Sequence, residues 1–188
     1  IVSRFILNVS PYKVFQYHIF RRSGYDAKLF SELFGQDAYK LYEYIYRFDN
    51  SAYTLQQQAL CKAYLGNFSG AFSDIDKALN KNPSNFSIRN SHAIILFEAN
   101  KDKKTPIAEE GIVKAMSTLQ ECFHSDKRKV YHAQKFADFA LYLSDEWGKK
   151  DYLEDAQTWL EQIVATGEFQ SIRTKKLLNR VRSHIAGK

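Results

Sequence analysis

The chain has 188 residues, 45% of them hydrophobic and 15% aromatic, a composition that predicts a folded core and excludes an intrinsically disordered chain. Its net charge of +6 suggests a nucleic-acid-binding protein, but residues 1–168 carry 21 basic and 21 acidic side chains. The excess therefore lies entirely in the last 20 residues. This distribution disfavours a surface that follows phosphates along the whole chain, which would spread its charge.

The sequence contains no run of about 18 apolar residues that predicts a membrane span, and no charged and then apolar leader. Its first residue is Ile1 and its only methionine is Met116, so we interpret it as part of a longer protein. Cys61 and Cys122 lie far apart in helical sequence. This predicts buried, reduced thiols and a cytoplasmic location.

Residues 1–50 are predicted to form an N-terminal helical stack. Residues 1–7 stay unassigned, and cap residues, prolines and glycines then delimit helices at 10–22, 26–34 and 37–48. The third helix is dense in tyrosine (Tyr39, Tyr42, Tyr44 and Tyr46). Aromatic side chains on nearly every side predict a helix covered by its neighbours, and part of the cluster is alternatively a contact surface.

Residues 51–85 carry the pattern around which the rest of the chain is organised. Apolar and small residues recur at helical spacing up to a turn at Gly66, resume at Phe68 and stop at Pro83. The small residues Ala59, Ala71 and Ala78 allow two helices to approach within about 8 to 10 Å. The pattern therefore predicts an antiparallel helix hairpin.

This hairpin resembles the tetratricopeptide repeat (TPR). The matching positions of the 34-residue family pattern are Ala59, Gly66, Phe68, Ala71, Ala78, Leu79 and Pro83. The chain departs from the pattern at Leu55, where the family has an aromatic residue, at Gln58, where it has leucine, and at Lys62, where it has tyrosine. The resemblance implies an all-α, TPR-like solenoid of antiparallel helix pairs.

Further pairs are predicted over residues 51–170, namely 51–85, 86–125 and 130–166, before a basic capping helix at 171–188. Ala93 stands 34 residues after Ala59, one repeat period later. The second pair has an expanded polar turn, 100–110, which is either a specificity loop or a tolerated surface insertion.

Motifs for catalysis, cofactor binding or metal binding are absent from the sequence. It contains no GxxxxGK[ST] or GxGxxG phosphate loop. The cluster of Cys122, His124 and His132 matches no common zinc spacing, and the pairs Asp74/Asp76 and Glu109/Glu110 are typical of solvated helix faces. We therefore predict a non-enzymatic chain with no cofactor and no metal.

The TPR resemblance implies a concave surface lined by the first helix of each pair. The family's inward positions fall on Tyr53, Gln56, Leu60, Tyr64, Ser87, Asn90, Ile94 and Phe97. This aromatic and amide surface lacks the lysines that clamp a terminal carboxylate, so it fits a folded protein surface or an amphipathic segment better. Alternatively, several of these residues are buried between repeats.

A looser resemblance extends to the repeat-bearing C-terminal sensor regions of large bacterial antiviral defence proteins, in runs such as SPYKVFQYHIFRRSGYDAKLF and SNFSIRNSHAIILFEAN. In those proteins, NTPase or NAD-consuming domains precede the sensor. The resemblance implies a module that recognises a phage protein and oligomerises through the parent chain.

The alternative function is a nucleic-acid-binding adaptor. It would use the basic last helix through Arg173, Lys175, Lys176 and Arg180, with residues 127–129. The salt dependence of binding distinguishes the two hypotheses. Affinity that comes from phosphate contacts falls steeply with ionic strength, whereas binding to an aromatic surface changes little.

Overall fold

The computed structural model describes residues 27–47, 50–127, 129–166 and 172–187, and in these ranges the chain is all-helical, without strands. This confirms the predicted all-α class. The helices are α1 (Ala27–Phe34), α2 (Gln36–Tyr46), α3 (Ala52–Tyr64), α4 (Phe68–Lys81), α5 (Phe86–Asn100), α6 (Pro106–Ser125), α7 (Lys129–Trp147), α8 (Leu153–Thr166) and α9 (Ile172–Ile185). The helix predicted at 10–22 lies outside the described residues.

Local cap chemistry explains several of these helix ends. The side chains of Ser51, Asn67 and Thr105 each accept a hydrogen bond from a backbone N–H three residues later, at 3.2, 3.1 and 3.2 Å. Gly66 closes α3 with a φ of 79°, a left-handed conformation that glycine adopts without a steric cost. The turn between α3 and α4 is therefore fixed by sequence.

The chain separates into two compact units, Ile1–Ala99 and Asn100–Lys188. In the first unit, α3 packs against α1, α2 and α4. Small residues line the hairpin of α3 and α4 as the sequence predicts, since Ala59, Ala71 and Ala78 are fully buried. Ile75 joins them in the core, so the two helices are held by close packing of small and branched side chains.

In the second unit, α7 packs against α6, α8 and α9. Aromatic side chains form the centre of its core. The Trp159 ring stacks on Phe123 with centroids 4.2 Å apart and lies 4.4 Å from Phe136 on α7. These contacts join α6, α7 and α8 around one indole, with Ala115 and Leu119 also fully buried.

The polar insertion predicted at 100–110 is shorter than expected. Helix α6 begins at Pro106, because Thr105 caps it and proline fits the first helical position, so only 101–105 connect α5 to α6. The spacing of the repeat family predicts a later start for this helix, whereas the Thr-Pro cap indicates the start that the structure shows.

The 101–105 connection is fastened to the end of α7. Trp147 Nε1 donates to Lys101 O at 2.8 Å, and the Tyr142 hydroxyl donates to Asp102 Oδ1 at 2.6 Å. Trp147 is the last residue of α7. Within the described ranges, no helix has the length and apolar character needed to cross a membrane.

Candidate protein-binding surface

The eight predicted contact residues lie along one face of α3 and one face of α5. Gln56 connects these faces. Its Nε2 lies 3.0 Å from Ser87 O, 3.0 Å from Ser87 Oγ and 2.7 Å from Ser91 Oγ. The structure therefore brings the N-terminal halves of α3 and α5 side by side.

Most of the eight residues are covered by the chain itself. Buried side chains are those of Gln56, Leu60, Asn90, Ile94 and Phe97. Tyr53 is 44% exposed, and Tyr64 and Ser87 are half-buried. The accessible part of the predicted surface thus consists of Tyr53, Tyr64 and Ser87, and the other five residues are buried.

Helix α3 has little free surface because helices cover it on several sides. Tyr53 is its only exposed residue, and α1, α2 and α4 all pack against it. The sequence left burial of these residues open as an alternative, because its pattern shows which residues share a helical face but not which faces are covered.

Lys62 and Asp74 form a buried ion pair that sequence reasoning missed. Lys62 Nζ lies 2.7 Å from Asp74 Oδ2, and their side chains are 11% and 7% exposed. Glu43 on α2 lies 3.4 Å from the same ammonium, and Lys77 lies 3.6 Å from Asp74 Oδ1. The sequence carries one signal for this ion pair. Lysine stands where the repeat family has tyrosine, and an acid lies on the facing helix.

Asp74 is paired with a lysine and not with a second carboxylate. Its contacts therefore differ from those of a catalytic carboxylate pair. Asp76 is exposed on the same helix. Glu109, in the other acidic pair, forms an ion pair with Lys149 beyond α7. Both predicted solvated pairs therefore include one carboxylate that ties two elements of its own unit together.

The basic last helix, α9, is partly neutralised within the second unit. Arg173 lies 2.8 Å from Asp138 on α7, and Arg182 lies 2.9 Å from Glu161 on α8. Hydrogen bonds from Gln157 and then Arg182 hold the pKa of Glu161 below its usual range. Two of the basic residues at this end of the chain are thus engaged with acids of their own unit.

The two histidines of the Cys122, His124 and His132 cluster contact different residues. His132 is buried and its Nε2 lies 2.9 Å from Asp126 Oδ2, whereas His124 is exposed and packs edge-on against Trp159. Across the described ranges, no group of three or more side chains is arranged to hold a metal ion.

The two cysteines are buried and not joined by a disulfide, as the sequence predicts. Burial raises the pKa of the Cys61 thiol to about 12 against a weaker opposing effect of the Ser31 hydrogen bond. Its Sγ lies 3.9 Å from Ala27 O on α1. Cys61 therefore acts as a small core residue between α1 and α3.

Comparison with known proteins finds no match. No family model matches the chain, and neither a curated protein nor a solved structure does.

Proposed function

We propose that this chain is a non-catalytic protein-interaction module built from stacked helix pairs. The observation that carries the proposal is a repeated geometry: side chains on one helix bond to the helix two positions further along the chain. Gln56 on α3 reaches Ser87 and Ser91 on α5, at separations of 31 and 35 residues.

The second unit repeats this geometry. Gln120 on α6 donates to Asp155 on α8 at 3.2 Å, a separation of 35 residues, and Gln134 on α7 donates to Thr174 on α9 at 2.8 Å. Stacked pairs in which each helix lies beside its equivalent in the next pair are how helical repeat proteins build binding surfaces. The TPR resemblance of α3 and α4 supports the same proposal.

The partner we propose is a protein. The looser resemblance to bacterial defence sensors supports a phage protein as that partner, a cytoplasmic location, and a signalling domain elsewhere in the parent chain. The proposal assigns no reaction and no cofactor to the residues of this chain.

Affinity capture tests the proposal. The chain is immobilised, lysates of phage-infected and uninfected bacteria are passed over it, and retained proteins are identified by mass spectrometry. The test variant is Tyr53→Ala with Tyr64→Ala, checked by circular dichroism. Tyr131→Ala is the matched control, because Tyr131 is 41% exposed and lies on α7 in the other unit.

A specific protein that is retained by the native chain supports the proposal. Loss of that protein with the folded double variant, but not with the control, places the contact on α3, whereas retention by both variants places it elsewhere on the chain. Because Tyr64 is half-buried, Tyr53→Ala alone is measured as well, since it tests the accessible part of α3 without unfolding the chain. If only nucleic acid is retained and moderate salt releases it, the chain is a nucleic-acid-binding adaptor and the proposal is refuted.

A further inference from the structure

A groove of about 410 Å³ runs between α7 and α9 in the second unit. We call it the α7–α9 groove, and its lining residues are Asp138, Ile172, Arg173, Lys176, Leu177 and Arg180. All but Asp138 come from α9, where Arg173, Lys176, Leu177 and Arg180 share one helical face. The groove thus combines three cations with aliphatic side chains.

Its charge is only partly compensated. Asp138 is the single acid of the lining and binds Arg173. Lys176 and Arg180 are exposed and make no ion pair with any residue that the structure describes. A guanidinium has five N–H donors, so Arg173 keeps donors beyond its contact with Asp138. The groove therefore offers a net positive site.

The groove also exposes apolar surface. Ile172 is 75% exposed beside these cations, while Leu177 is buried beneath them. An isoleucine this accessible leaves apolar area in contact with water. A ligand with both carboxylates and an aliphatic side chain would cover both features.

The wall formed by α9 is held in place independently of any ligand. Gln134 donates to Thr174 at 2.8 Å, and His184 Nε2 lies 2.7 Å from Asp145 on α7. Arg182 adds the ion pair with α8. A site that is positioned before binding loses less conformational entropy when the ligand arrives.

We propose that the α7–α9 groove binds an acidic amphipathic helix of a partner protein. Lys176 and Arg180 are four residues apart, so they lie about 6 Å apart along α9. Carboxylates four residues apart on a ligand helix have the same spacing, and an aliphatic residue on the adjoining position of that helix covers Ile172. This inference rests on the proposed function and adds the chemistry of the partner.

Nucleic acid fits the groove less well. None of the six lining residues is aromatic, so the groove has no ring on which a base would stack. Only two of its cations are without an acidic partner, and a phosphate backbone needs a longer track of charge. Nucleic acid is therefore an outcome of the test.

The test measures fluorescence anisotropy with the whole chain. The probe is a labelled helical peptide of about twelve residues, with glutamates four residues apart and leucines at the adjoining positions. Its control replaces each glutamate by glutamine. Three variants are compared with the native chain: Lys176→Gln with Arg180→Gln, the matched surface change Lys103→Gln with Lys114→Gln, and Ile172→Ser.

We expect the glutamate peptide to bind and the glutamine peptide to bind about tenfold more weakly, since two exposed charge contacts of about 0.7 kcal/mol each are lost. The Lys176 and Arg180 variant should lose about tenfold, and the Lys103 and Lys114 variant should stay within about twofold. Ile172→Ser should weaken binding by a factor that changes little with salt.

Equal binding by the native chain and the Lys176 and Arg180 variant would overturn the proposal, as would equal loss in the matched control. Stronger binding of a single-stranded oligonucleotide than of the peptide would assign the groove to nucleic acid. Captured proteins that are unaffected by the Lys176 and Arg180 substitutions would refute this inference and leave the proposed function standing. Capture of no protein at all would refute the proposed function.

Discussion

The buried ion pair of Lys62 and Asp74 predicts a large, non-additive effect on stability. The two charges lie 2.7 Å apart. At an effective dielectric constant of about 20, their gross attraction is about 6 kcal/mol, most of which offsets the cost of removing both charges from water. Removing one partner leaves the other charge buried, and this costs about 3 kcal/mol.

The experiment is a double-mutant cycle with Lys62→Met and Asp74→Leu. Glu43 and Lys77 remain near the surviving charge, but their side chains are 46% and 58% exposed and compensate it weakly. Each single variant should therefore lose about 3 kcal/mol, whereas the double variant, in which both charges are gone, should lose about 1 kcal/mol or less.

Urea unfolding followed by far-UV circular dichroism measures these free energies, and an unchanged denaturant slope shows that the unfolded state is comparable. If the two single losses add in the double variant, the pair is not coupled. If each single variant loses less than about 1 kcal/mol, the charges are solvated and the buried-pair reasoning is refuted.

Three substitutions and one labelling experiment test the packing further. Gln58→Met should raise stability by about 1 kcal/mol in urea unfolding, because Gln58 Oε1 is buried without a hydrogen bond; a loss would contradict this. Cys61 should resist alkylation at pH 8 until the chain unfolds, because its pKa is raised to about 12. Gly66→Ala should cost about 1 kcal/mol, seen as a lower melting temperature, because φ there is 79°. Phe97→Ala should cost about 3 to 5 kcal/mol because Phe97 is buried, whereas an interface residue would leave unfolding unchanged.

The helices were the predictable part of the structure. Their ends depend on local chemistry, and Gly35 and Gly66 terminate helices in the structure as the sequence indicates. The close packing of Ala59 against α4 was also predictable, since only small residues permit it. The Thr-Pro cap also indicates the start of α6 at Pro106, but the spacing of the repeat family points to a longer connection before it.

The contact surface was much less predictable. The TPR resemblance placed Leu60, Ile94 and Phe97 on a concave surface, but all three are buried, because burial depends on which helices cover a face. The pairing of Lys62 with Asp74 depends on the register of α3 against α4. Free cations such as Arg180 on α9 were distinguishable from engaged ones only after the positions of Asp138 and Glu161 were known.

The polar side chains of α3 bear on where the proposed partner would bind. Gln56 bonds to α5 and Lys62 bonds to α4, so both are directed at neighbours within their own unit. Buried polar contacts of this kind select one arrangement of helices, because any other arrangement leaves them without partners. On α9, by contrast, Lys176 and Arg180 extend from a helix whose position other residues already fix. Charged groups that the fold does not need are the ones available to a partner, and this favours the α7–α9 groove over the enclosed face of α3.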